Sequence, residues 1–385
     1  MMNRKTTYKY TVGASQKGAL TICLILATLV SGFSEAGPIT TFDAPGAGTG
    51  AGQGTFAINV NDFGVAVGYF VDANIVPHGF VRSPFGQVTT IDAPGAGMMP
   101  GANQGTVAES INIEGSIAGQ YQDTNFVLHC FLRYPDGHII TFDAPRAGTG
   151  ANQGSLALDI NSKGTIAGYS IDNNKVYHGF VRSPLGTFTS FDAPKAGRGS
   201  FQGTVTTLET GLNPSGALIG WYFDPNNAAH GYVREPNGVI TSFDPPGATN
   251  TYPGSINPEG VIVGGALDAN GIFHGFIRSA KGVITSFDVP GAGTKLGLPP
   301  GSEGTLALGI TPFSLITGYW ADSNTIYHGF VRYPNGAISK FDAPGAGTVP
   351  LSLQGTVPQG MNFWGEIVGY LQDSNYIYHG FIRIP

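Results

Sequence analysis

Charge and cysteine are what this chain has least of. Only 11% of its 385 residues are Asp, Glu, Lys or Arg, while 59 are Gly and 26 are Pro. Long charge-studded helices need the opposite balance, so short strands joined by tight turns are expected. Two cysteines are present, and Cys23 falls in the leader described below, which leaves Cys130 as one thiol without an internal disulfide partner. The fold must then be held by its core, for which 41% hydrophobic and 11% aromatic residues supply the surface. Cys130 stands where other copies of a repeated "HGF" carry Gly, so it reads as a small buried residue rather than a reactive thiol.

A long apolar run is also missing. The apolar stretch 19–33 falls short of the roughly 20 residues that cross a bilayer. Arg4, Lys5, Lys9 and Lys17 precede it and Ser34-Glu35-Ala36 follows, the pattern of a secretory signal peptide spanning residues 1–36. The expected destination is secreted and extracellular, or periplasmic, with no membrane insertion after cleavage. Residues 37–385 form the expected single repeat domain, with 15 basic and 24 acidic side chains. That acidic balance excludes nucleic acid and anionic membrane as natural partners, and a monomer is expected.

What the chain does have is repetition. Histidines at 78, 129, 178, 230, 274, 328 and 379 mark seven copies spaced 44 to 54 residues apart, the size of a four-stranded propeller blade. An Asp always stands six residues before the His and an Arg four after it, and in six copies a second Asp follows 14 after it. Such fixed spacing belongs to paired strands, because one inserted residue would turn every later side chain to the other face. "SLALDIN", "TIAGYSI", "VYHGFVR" and "TFTSFDA" give four strands per copy, and "SPLG" is turn chemistry between the last two. Pairing across that turn places Arg82 opposite Val88, Phe80 opposite Thr90 and His78 opposite Asp92.

The sequence after the leader opens with a fourth strand, "PITTFDAP", and closes with a third, "HGFIRIP". Pairing Ile39–Asp43 with Phe381–Ile384 would complete the seventh copy and close a ring without exposed edges. The expected fold is therefore all-β, a seven-bladed β-propeller of four-stranded blades. A β-solenoid is the alternative, though it favours more uniform coils than these. The motifs "HGFVR", "FDAPGAG", "QGT" and "IAGY" resemble the extracellular HAF-type repeats of bacteria, with His-Gly-Phe for His-Ala-Phe, across roughly 38–385. The resemblance implies a secreted, β-propeller-like protein of unassigned activity and brings no catalytic residues.

"HGFVRSPFGQVTTIDAP" looks at first like acid/base chemistry, but a constellation that recurs in every copy is a structural network rather than a catalytic site. Its members are His78, Arg82 and Asp92; His129, Arg133 and Asp143; His178, Arg182 and Asp192; and His379 with Asp43, the His and Arg donors satisfying Asp and backbone acceptors. "D-x-N" offers oxygens of the kind Ca²⁺ takes, yet two per turn fall short of six to eight, and both residues are default turn formers. No other cofactor or metal is indicated. "GAGTGAGQG" lacks the helix and lysine of a phosphate loop.

Symmetry-breaking residues carry the functional expectation. The Gly-rich loops vary in length and should emerge on the same face as the "D-x-N" turns, where binding specificity usually sits. Met98, Met99, Arg198, Tyr252, Lys295 and Trp320 are candidate ligand-facing residues, and Glu109, Asp159 and Glu209 are unrepeated acids expected to line the channel. Two function classes follow. One is an exported binding module for a polysaccharide or surface protein; the other is a secreted carbohydrate-active hydrolase or lyase using those acids.

Overall fold

The computed structural model describes residues 37–207, 210–294, 299 and 301–385. The signal peptide expected over 1–36, and Glu209 and Lys295, lie outside the described residues. Every regular element described is a strand, twenty-eight in all, and no described helix is long and apolar enough to cross a membrane.

The strands fall into units of four. Unit one spans Gly54–Val60, Ala66–Val71, Pro77–Arg82 and Val88–Ile91, and units two to six repeat it over 106–142, 154–191, 203–243, 250–287 and 304–341. Within a unit the strands are antiparallel neighbours in chain order. The register read from the turn is the one observed: Arg82 opposes Val88 and Phe80 opposes Thr90. Strand β1 (Ile39–Phe42) pairs antiparallel with β28 (Tyr378–Arg383), from Ile39 opposite Arg383 to Phe42 opposite Gly380, one residue upstream of the expected partner span.

Burial grades across each unit. The first strand is buried along its whole length in units one and three, while the fourth is mostly exposed. Successive first strands approach one another, and residues that follow them form a belt. The amide of Asn61 donates to the carbonyl of Asn112, Asn112 to Asn161, Asn161 to Asn213, Asn213 to Asn257 and Asn257 to Thr311, at 3.1–3.3 Å. Asn362 donates back to the Asn61 carbonyl at 3.0 Å. Thr311 is the one belt member with no amide to give; its hydroxyl accepts from the Leu315 amide instead, at 3.1 Å.

The Gly of "QGT" shows how closely units meet. Gly54 has φ +121° and forms a parallel bridge with Tyr378 of the preceding unit. A Cβ there would overlap the Tyr378 carbonyl oxygen, so only Gly combines this left-handed backbone with that approach. Gly154 and Gly203 repeat the arrangement against Leu128 and Tyr177.

Candidate functional site

The repeated histidines join the two turns of one unit. Each donates from Nδ1 to the Asp 14 residues on, at 2.7–3.0 Å, with Asp43 serving His379. Because a carboxylate only accepts, the neutral ring must carry its proton on Nδ1. Nε2 faces the "D-x-N" Asp at 3.4–4.0 Å. In four units the imidazole also stacks on the second-strand ring, as His78 does on Phe70 at 5.1 Å.

The arginines do something the spacing did not suggest. Arg82 lies over the Phe42 ring at 4.7 Å, Arg182 over Phe142, Arg234 over Phe191, Arg278 over Phe243, Arg332 over Phe287 and Arg383 over Phe341, each aromatic belonging to the preceding unit. The expectation that His and Arg donors satisfy Asp and backbone acceptors divides between them: His takes the Asp, while Arg donates to a backbone carbonyl, as Arg82 does to Ser83 at 3.3 Å, and joins neighbouring units through the quadrupole of a ring. In unit two Ile91 replaces that Phe, and Arg133 donates to the Tyr134 carbonyl at 3.4 Å.

The "D-x-N" oxygens are occupied locally. Asp72 Oδ1 accepts the Asn74 and Val76 amides at 2.8 Å, and Oδ2 accepts from the Asn74 side chain. Burial alone would raise the Asp72 pKa, but the backbone donors, the Asn74 side chain and the nearby His78 bring it below the usual value. Among the described residues no group of three or more His, Cys, Asp or Glu converges to hold a metal.

The Gly-rich loops and "D-x-N" turns share a face. Gln53 of the first loop donates to the Ala73 carbonyl at 3.3 Å, and the Gly101 amide reaches the Asn74 carbonyl. On this face Met98 and Met99 are 44% and 53% exposed, and Arg198 is exposed. Tyr252 and Trp320 sit elsewhere than expected. Tyr252 is half-buried in the first strand of unit five, and Trp320 is buried in the core, stacked on His328 with the Lys340 ammonium over its ring. Trp320 therefore does not face a ligand.

Glu109 and Asp159 are buried. Desolvation pushes Glu109 up to about 7, and the Gln120 amide donates to its Oε1 at 3.1 Å. Desolvation likewise lifts Asp159 to about 7, against opposing hydrogen bonds from the Leu212 amide and Ser110 hydroxyl, both at 2.8 Å. Asp159 borders a cavity of about 220 Å³ at the Asn-belt end, and Glu109 is not among that cavity's described walls. Asp159 staples the first strands of units two and three to the segment after the first strand of unit four, where Leu212 lies.

A column the sequence reading passed over locates two further cavities. Nine residues before each His stands Tyr69, Gln120, Tyr169, Trp221, Gly265, Tyr319 or Tyr370. The large rings fill the space between units, and a cavity lies at each interruption. At Gln120, about 510 Å³ opens between units one and two, lined by Phe56, Tyr69 and Tyr378 together with the amides of Asn103, Gln120 and Gln122. Phe56 stacks on Tyr69 at 4.6 Å and lies 4.3 Å from Tyr378. Asn103 and Gly105 come from the loop that carries Met98 and Met99. Near Gly265, about 340 Å³ opens among units four, five and six and Gln359 of the seventh unit's first strand, Gly355–Met361.

With this geometry in view, comparison with known proteins supports the architecture. A virginiamycin B lyase from Staphylococcus aureus, a catalytically inactive form solved with quinupristin, is similar over 90% of this chain and 100% of its own, with TM-score 0.56 and 15% identity. A six-bladed fungal lectin from Aleuria aurantia covers 81% of this chain and 98% of its own, with TM-score 0.41 and 13% identity. The solved neighbours are β-propellers. At 15% identity the first of these likenesses shows the fold alone. No family model and no curated protein matches the chain.

Proposed function

We propose that the chain is an exported seven-bladed β-propeller of the HAF-repeat kind, closed by β1 on β28, and that it binds a neutral glycan on its loop face. The observation that carries this reading is the cavity at Gln120. Sugars present apolar C–H faces beside hydroxyls, and a site for them needs aromatic faces flanked by groups that both donate and accept hydrogen bonds. Phe56, Tyr69 and Tyr378 supply the first, and Asn103, Gln120 and Gln122 the second. A volume of about 510 Å³ lies within the roughly 300–1,000 Å³ usual for ligand sites. No repeated His takes part, so the scaffold is constant while one loop makes the site.

The hydrolase or lyase alternative would need Glu109 or Asp159 to meet substrate. Asp159 spends both oxygens on Ser110 and Leu212, and Glu109 faces Gln120, so binding is the better reading. A glycan array on the secreted form tests it. Asn103 has φ +54°, which Gly tolerates, so Asn103→Gly removes an amide without backbone strain. Binding to at least one neutral glycan, weakened about tenfold by that change, is expected. Silence on the array, or affinity indifferent to Asn103→Gly, would overturn the assignment.

A further inference from the structure

The second interruption of the aromatic column has a different chemistry. At Gly265 the column has no side chain, and Leu306 leans over the gap so closely that a Cβ on Gly265 would overlap its Cδ1. In the neighbouring first strand, Gly254 takes the place held by Ile58, Leu158 and Leu308 in other units. The cavity of about 340 Å³ is walled by Trp221, Tyr252, Phe273, Leu306 and Leu308. Trp221 meets Tyr252 edge-on at 5.6 Å, and Tyr252 meets Phe273 at 6.0 Å, so three rings brace one another around it.

Its polar resources are few. Thr207 commits its hydroxyl to the Pro253 carbonyl at 2.7 Å, and Pro253 has no amide to offer. Among the described residues lining it none carries a charge, and Gln359 is the one amide side chain at its edge. Leu306, Leu308 and Gln359 are half-buried, so the cavity reaches solvent along their side. A charged ligand would lose its hydration here without a counterion, and a sugar would leave most hydroxyls unpaired.

We propose that this cavity is a second binding site, for a compact neutral ligand built on an apolar ring, entered past the half-buried Leu306 and Leu308. Burial of the ring against Trp221, Tyr252 and Phe273 drives binding. The site is independent of the glycan reading, because its walls come from units four to seven and none is shared with the cavity at Gln120.

Isothermal titration of the intact secreted protein with 1-naphthol tests this, with glucose as the contrasting probe. Saturable 1-naphthol binding is expected, and glucose should give no heat. Leu308→Trp fills the cavity from its open side and should weaken 1-naphthol at least tenfold. Gly265→Tyr restores the ring of the column and should do the same; if it fails to fold, Leu308→Trp still decides. Asn103→Gly should leave 1-naphthol affinity unchanged. Absence of 1-naphthol binding, indifference to Leu308→Trp, or sensitivity to Asn103→Gly would each overturn the proposal.

Discussion

Replacing Thr311 by Asn should complete the belt and stabilise the protein. The backbone carbonyl of Thr311 already receives the Asn257 amide at 3.3 Å, so the residue sits in the belt as its neighbours do. What it lacks is an amide to pass on. The six Asn donors span 3.0–3.3 Å at buried positions, so an Asn at 311 would add one buried hydrogen bond, toward the Asn362 carbonyl. Its Oδ1 would keep the acceptor role for the Leu315 amide, as Asn257 does for Val261. Net of lost solvation, one such bond stabilises by about 1 kcal/mol. Guanidinium unfolding should show a higher midpoint at unchanged m. The opposite change, Asn161→Thr, removes the bond to the Asn213 carbonyl and should cost about 1–2 kcal/mol. If Thr311→Asn is neutral or destabilising while Asn161→Thr is harmless, the belt does not hold the units together.

Three further outcomes follow from other contacts. Glu109 is held protonated by burial up to about 7, well above its unfolded value, so stability is greatest below about pH 4 for this group and falls as pH rises toward 7. Glu109→Gln should flatten that part of a pH–stability profile and gain on the order of 3 kcal/mol above pH 7, and an unchanged slope would contradict it. Among the histidines, His178 is 5% exposed and His274 is 35%, so His178→Ala should cost roughly 1–3 kcal/mol and His274→Ala under about 1 in thermal melts, with equal costs counting against the network. Ile91→Phe should give Arg133 the ring that the other six arginines have and raise stability by about 0.5–1 kcal/mol, an effect that Arg133→Gln in the same background should remove.

Much of the scaffold was legible because repetition exposes what must stay constant. The turn "SPFG" and the 14-residue interval gave the His78–Asp92 pairing, and the first and last strands pointed to β1 on β28. The arginine partners were not legible, since Arg82 and Phe42 lie 40 residues apart in different units and no local spacing links them. The belt hid inside a residue type that turns favour anyway: Asn61 does accept from its own turn amides, and its second role appears only when the next first strand is beside it. The cavities had a signal, the column from Tyr69 to Tyr370. It asks not which residue recurs but which copy breaks rank, and Gln120 and Gly265 do so.

The meeting of the first and last described strands has a consequence for how this protein can be rewired. The Ile384 amide already reaches the Pro38 carbonyl at 3.2 Å, beside Gly37 and Pro385. A short linker could therefore join 37 to 385, and the chain could be reopened in any other unit at the exposed hairpin tip, such as Phe85 or Leu185, both nearly fully exposed. A circular permutant cut there would keep every cross-unit Arg–Phe contact and every belt amide, while the unit that is assembled from both ends of the chain would become a different one.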